Sequence, residues 1–286
     1  MRPLAVLGAP SNLGLMPFPD GRLRGVDRAP RAYRELGLVE RLGARDLGDV
    51  EAPPYVDFER PPGGTRNEGA IASYSRSLAA AVSTVNDFLL VLGGDCSILL
   101  GTLLGQRDRG RIGLAFIDGH CDFALPSISI SGGAAGMDLA LAVGRGGPLA
   151  RLAGEPLLRE EDAAVIARKD QADEPYYGED SLRNSAVLDL PAEAVESALT
   201  RLTRPELDGF WIHLDVDVLD PEVMPAVDSP EPGGLGIDEL AGLLIPLVRH
   251  PKALGMEVTI YDPSLDPDGV YGPRLVRLLE QVFQSR

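Results

Sequence analysis

The chain has 286 residues, 44% of them hydrophobic and 24% charged, which is ordinary globular usage and excludes fibrous and disordered architectures. With 43 Asp plus Glu against 27 Lys plus Arg, the formal charge of −16 repels a phosphate backbone and an anionic membrane, and argues against nucleic acid or lipid as partners. The two cysteines, Cys96 and Cys121, are too few for a disulfide framework and are read as reduced thiols.

The apolar run after Met1 is shorter than a signal peptide, and no later stretch approaches the roughly 18 apolar residues of a membrane span. Cytoplasmic residence is therefore the default expectation. In chain order, the pattern predicts a strand at 4–7, helices at 29–42 and 68–85, a strand at 88–92, a helix at 97–105, and strands at 112–117 and 164–167. A helix at 192–202, a strand at 210–214, a helix at 237–249, a strand at 254–258 and a helix at 271–283 complete the alternation. The strands are short and apolar on both faces, as a parallel sheet covered by helices requires, so the fold class is α/β with right-handed crossovers. No composition break divides the chain, and 1–286 is read as one domain. Segments 125–136 and 221–234, rich in Ser and Gly or in Pro, read as loops at the carboxyl edge of the sheet, where open α/β sheets bind ligands. A surface insertion is expected around 171–184.

Four motifs carry chemistry. Asp118-Gly119-His120-Cys121-Asp122 follows the apolar run at 113–117; in extended chain Asp118, His120 and Asp122 would share a face. His213-Leu214-Asp215-Val216-Asp217-Val218-Leu219-Asp220-Pro221 ends a second strand and puts Asp215 and Asp217 together by the same arithmetic. Carboxylates packed this closely in an apolar setting repel one another and are costly to desolvate unless a cation neutralises them. An Asp-rich set with one imidazole suits Mn²⁺ or a similar ion. Gly93-Gly94-Asp95-Cys96-Ser97 turns a third strand into a helix. Glu257 stands alone in the apolar strand end before Asp262-Pro263, where a carboxylate needs a cationic partner, an Arg or a substrate.

In this order the motifs resemble the signature of the ureohydrolase family of arginase, agmatinase and formimidoylglutamase: GGDxS, DxHxD, DxDxxDP and a glutamate before an xDP-like turn. The resemblance extends from Gly25-Val26-Asp27-Arg28-Ala29-Pro30 to Gly233-Gly234-Leu235 and beyond. It implies a three-layer α/β/α fold around a parallel sheet of about eight strands and a centre of two Mn²⁺ ions per chain. The implied reaction is hydrolysis of a guanidino compound to urea and an amine by a metal-bridging hydroxide. Carried over by position, Cys96, Asp118, Asp122 and Asp215 would bind one ion, and Asp118, His120, Asp215 and Asp217 the other. Glu257 would pair with the substrate guanidinium, Asp122 would take a proton from the attacking hydroxide, and Ser131 and Ser229 would offer hydroxyls to the substrate. Asp220 would be structural. The resemblance also implies a homo-oligomer, a trimer or hexamer.

The sequence departs from the family pattern in three places. Cys96 stands where the pattern has His: four Asp and two neutral His carry −4 against two divalent ions, whereas a Cys96 thiolate makes the sum −5. That set favours a softer ion at the Cys96 site, or leaves it weakly held. Ala135 replaces a histidine that shuttles protons to the leaving amine, and Ala124 replaces an asparagine that reads the α-carboxylate of arginine. A substrate other than plain L-arginine, with a less basic leaving group, is therefore expected; a hydroxyguanidine such as hydroxyarginine fits. His213 lies deeper in its strand than Asp215, and core packing is its expected role. The rival expectation is a non-catalytic or single-metal descendant that uses the scaffold for ligand binding or assembly. Amide hydrolysis at a deacetylase-like site is a third.

Overall fold

The computed structural model describes residues 2–284. β1 (Leu4–Ala9) leads through α1 (Ala29–Glu35) and α2 (Leu38–Leu42) to β2 (Arg45–Asp49). Then α3 (Glu68–Ser83) precedes β3 (Phe88–Gly93), α4 (Leu99–Gln106) precedes β4 (Ile112–Ile117), and α5 (Asp138–Ala142) precedes β5 (Ala163–Ile166). α6 (Glu174–Tyr177), β6 (Leu188–Leu190), α7 (Val195–Leu202), β7 (Gly209–Asp215), α8 (Ile237–Arg249), β8 (Ala253–Thr259) and α9 (Tyr271–Gln284) follow.

The strands form one eight-stranded parallel sheet in the order β2-β1-β3-β8-β7-β4-β5-β6. Its inner strands β3, β4 and β7 are buried at every residue, because helices cover both faces. Two strands had no sequence signal. β2 and β6 are the edges, partly charged and not buried (Arg-Asp-Leu-Gly-Asp and Leu-Asp-Leu), so neither carries an apolar run, and the alternation in β6 is only three residues long. The single helix expected over 29–42 is two, because Gly37 takes φ 76° in the left-handed region and ends the first.

Alternate residues of the inner strands feed two cores. On one face Val6, Leu90, Ile117, Leu214 and Val258 pack against α1, α2, α7, α8 and α9. On the other Leu7, Val91, Phe116 and Trp211 pack against α3, α4 and α5. The result is the expected three-layer arrangement. The sheet register sets Val91, Glu257, His213 and Phe116 side by side in one row across β3, β8, β7 and β4. Cross-strand neighbours share a face, so this row points towards α4, just beneath the carboxyl ends of the strands.

The turn after β3 depends on close backbone approach. Gly94 donates to Ala9 O at 3.0 Å, and Asp95 N–H to Ser11 O at 2.9 Å. A Cβ on Gly94 would lie 1.8 Å from Ser11 O, and backbone cannot swing aside as a flexible side chain does. Gly94→Ala is expected to cost about 1–3 kcal/mol. Thermal unfolding should then shift down by roughly 3–10 °C; an unchanged midpoint would show that the loop carrying Ser11 relaxes freely.

Candidate metal centre

Three strand tips supply the site. After β3, the Asp95 carboxylate accepts from Ser97 N–H at 2.9 Å and from the Ser11 hydroxyl at 2.6 Å, which caps the short turn Cys96–Ile98 that feeds α4. Cys96 is thereby held over the sheet edge, its thiol donating to Asp215 Oδ2 at 2.9 Å and touching Thr259 Oγ1 at 3.2 Å. After β7, Asp215 Oδ1 accepts from Asp217 N–H at 2.7 Å, folding the chain into the turn Val216–Val218. After β4, Asp118 Oδ1 accepts from His120 N–H at 2.7 Å.

The ligand-bearing residues do converge, but not by strand alternation. β4 ends at Ile117, and Asp118 to Asp122 form a turn in which Asp122 takes φ 44°. Side-chain–backbone bonds by Asp118 and Asp215 set the directions that extended geometry was expected to set. Gly119 permits the tips to touch: its N–H donates to Asp217 Oδ1 at 3.0 Å, and a Cβ there would lie 2.6 Å from Lys169 Cε. Lys169 clamps the same corner, donating to Asp217 O at 2.7 Å and Glu231 O at 2.8 Å.

Among the described residues, Asp118, His120 and Asp122 offer donor atoms within 4.8 Å of one another, as do Asp118, Asp215 and Asp217, and Cys96, Asp118 and His213. Burial, then the neighbouring Asp217, pushes the Asp118 carboxyl up to about 6. Burial, then Asp118, holds Asp122 well above the ordinary range, and burial, then Asp217, does the same to Asp215. Asp217 goes the other way; burial opposes its charge, but the His120 imidazole, 2.9 Å away, lowers it. Burial pushes the Cys96 thiol up, with Asp215 adding to the effect. Asp118 Oδ2 is buried without a hydrogen-bond partner. Carboxylates crowded until they favour protonation, with one oxygen left orphaned, are what divalent cations would relieve, and four carboxylates, an imidazole and a thiol are donors of the right chemistry.

The cluster floors a cavity of ≈ 530 Å³. Ser131 and Ser229 line it, Ser131 Oγ accepting from Gly133 N–H at 3.1 Å and Ser229 lying exposed at the rim. Ala124 and Ala135 line it too. Asp220 faces elsewhere, accepting from Glu222 N–H at 2.9 Å and Gly233 N–H at 3.0 Å to brace a turn.

Glu257 is not in the cavity wall, contrary to its expected meeting with the substrate cation. It is fully buried in the row beneath the tips, with Oε1 held by His213 Nδ1 and Oε2 by the Thr102 hydroxyl, each at 2.7 Å. The residue of β8's end that does face the cavity is Ile260, at φ 72°. For a β-branched residue that is a strained conformation.

Sequence reasoning missed other contributors. Asp228 lines the cavity beside Ser229, its carboxyl raised to about 6 by burial and then by Asp217. Tyr176 and Tyr177 reach the cavity from the segment expected to be a surface insertion. Asp138 is fully buried with neither oxygen hydrogen-bonded; burial, then Asp118 and Glu257, raise it well above the usual range. A lone acidic residue opening the apolar stretch Asp-Leu-Ala-Leu-Ala was a signal that could have been read.

Comparison with known proteins gives the same family. The Arginase family model matches residues 2–280. Arginase of Bacillus caldovelox is 31% identical over 304 aligned positions, covering 100% of this chain and 99% of the relative. Arginase of Bacillus subtilis is 29% identical, covering 99% and 98%. The solved structure of the Bacillus caldovelox arginase superposes with a TM-score of 0.86 at 30% identity, covering 99% of this chain and 98% of that one. Sheet order, the clustered strand tips and full-length similarity agree: the chain belongs to the arginase family of ureohydrolases, hydrolases of amidino C–N bonds.

Proposed function

We propose that the chain is a Mn²⁺-dependent amidinohydrolase that converts a guanidino compound other than plain L-arginine to urea and an amine. The observation that carries the reading is the convergence of Cys96, Asp118, His120, Asp122, Asp215 and Asp217 at the floor of an open cavity, with Asp118 Oδ2 buried and unpartnered. These six side chains would hold two divalent cations. When bound, the cations would supply Lewis acidity and make water a competent nucleophile near neutral pH.

The chain's own residues would do the rest. The acidic floor, with Asp122 and Asp228 in the wall, draws a guanidinium into a site closed below by the sheet. Asp122, half-buried and facing the cavity, is placed to accept a proton from the attacking water. Ser131 and Ser229 offer hydroxyls to the substrate. Glu257, whose oxygens are taken by His213 and Thr102, supports the floor from beneath rather than pairing with substrate. The alanines at 124 and 135 present no group for reading an α-carboxylate or for protonating a strongly basic leaving amine. A less basic leaving group, as in a hydroxyguanidine such as hydroxyarginine, needs less of that help. The relatives matched are named plain arginase; these two positions and Ile260 are what support a different substrate here. The continuous sheet supports reading 1–286 as one domain.

The metal-loaded protein is expected to release urea from at least one guanidine of a broad panel with kcat/KM at least tenfold above that for L-arginine, and chelation should abolish the release. Two bound metals with no urea from any member would sink the catalytic reading in favour of a ligand-binding descendant. Separately, Cys96→His removes the surplus charge of a thiolate and should raise Mn²⁺ occupancy measured by elemental analysis; unchanged or reduced manganese would show the charge argument to be wrong.

A further inference from the structure

The row beneath the strand tips contains an arrangement that core packing does not account for. His213 is fully buried in β7, its ring stacked on Phe116 with centroids 4.5 Å apart and planes within 8°. Its Nδ1 lies 2.7 Å from Glu257 Oε1, and the other oxygen of that carboxylate takes the Thr102 hydroxyl at 2.7 Å. With Glu257 ionised its oxygen can only accept, so a neutral His213 carries its hydrogen on Nδ1 and leaves the Nε2 lone pair free. Nε2 has no hydrogen-bond partner, and neither has Asp118 Oδ2, 3.8 Å away.

Two buried acceptors left facing each other at that distance are costly. The gap is too long for a hydrogen bond, yet it is of the order of the ~3.3 Å between two donor atoms of a tetrahedral ion with bonds of about 2.0–2.1 Å. Cys96 completes the set, with donor atoms of Cys96, Asp118 and His213 all within 4.8 Å of one another. A histidine whose far nitrogen is pinned by a carboxylate, itself pinned by a hydroxyl, is the arrangement that orients metal-binding imidazoles.

We infer that His213 is a metal ligand: Nε2 of His213, the thiolate of Cys96 and Asp118 Oδ2 together take one divalent cation of the zinc or cobalt type, with Glu257 as the positioning residue that fixes the imidazole. The imidazole missing at position 96 is thus supplied from β7, one pleat below Asp215. Binding releases the Cys96 proton to solvent, and the sulfur lone pair it leaves forms the bond to the cation. A thiolate–imidazole–carboxylate set prefers a softer ion than the carboxylate-rich remainder of the cluster, so the two positions of the centre differ in metal preference. The inference rests on reading the cluster as a metal centre, though not on the identity of the substrate.

The test uses the full chain loaded with two equivalents of zinc and read by zinc-edge X-ray absorption. In a His120→Asn variant, folded by circular dichroism, bound zinc should still show imidazole and sulfur scattering, because His213 and Cys96 remain. Zinc bound without imidazole scattering overturns the assignment, and so does a folded variant that binds no zinc; either result leaves His213 as an ionic tie between Glu257 and Asp118. Glu257→Gln in the otherwise native chain should weaken zinc binding 10–100-fold, while His250→Gln, at the end of α8, should leave it unchanged; equal affinities in the two variants would also overturn it. Intact ligation in a protein that releases no urea would instead defeat the reaction proposed above and leave this assignment standing.

Discussion

Mutual repulsion among carboxylates that the fold forces together is the constraint from which the rest of the structure follows. Asp118, Asp215 and Asp217 are almost completely buried, and their donor atoms lie within 4.8 Å of one another. At an effective dielectric near 20, two unit charges 4 Å apart repel by about 4 kcal/mol, which is a large part of the net stability of an ordinary domain. Without cations such a cluster must hold protons, and the upward displacement of Asp118, Asp122 and Asp215 expresses that preference. With cations the same crowding becomes binding energy, since deprotonation of the ligands and capture of the ion are one coupled event.

The sheet bears the strain. Parallel strands bring the carboxyl ends of β3, β4, β7 and β8 to one edge, and the strand order places β8 and β7 between β3 and β4. The tips then lock each other through backbone: Gly119 N–H on Asp217, Lys169 on two carbonyls, Gly94 against Ser11. These contacts leave no room for side chains, which is why glycine occupies both approach points. Below them, the row from Val91 to Phe116 carries polar groups into a layer that is otherwise apolar. Glu257, His213 and Thr102 satisfy most of one another's hydrogen-bonding capacity, and the one atom left over, His213 Nε2, faces Asp118 of the cluster. A polar network placed there rigidifies the floor only if every member finds a partner.

The cavity wall separates this chain from what its family signature alone would suggest. Alanine at 124 and 135, and isoleucine at 260 in a left-handed conformation, make part of the wall apolar and chemically inert. Strain of that kind persists only where surrounding structure over-determines it; here the Ile260 N–H is held by Gly94 O at 2.8 Å, tying the end of β8 to the turn that carries Cys96. Acidic character in the wall comes from Asp122 and Asp228, and aromatic character from Tyr176 and Tyr177.

Fold class, the six apolar strands, most helices and the identity of the crowded donor groups were legible in the residues alone, because hydrophobic period and motif spacing are local properties written along the chain. The sequence could not show β2 and β6, whose edge positions free them from the apolar pattern, nor the break at Gly37. The direction of Glu257 was set by packing between distant segments. Its place is fixed by register with His213 on β7 and by Thr102 on α4, partners 44 and 155 residues away. Direction of a side chain at a strand end depends on which turn follows and which strands adjoin, and those are non-local. For the same reason the neighbourhood of His213, Asp138 and Asp118, each unremarkable as a residue in its own segment, exists only once the sheet has closed around it.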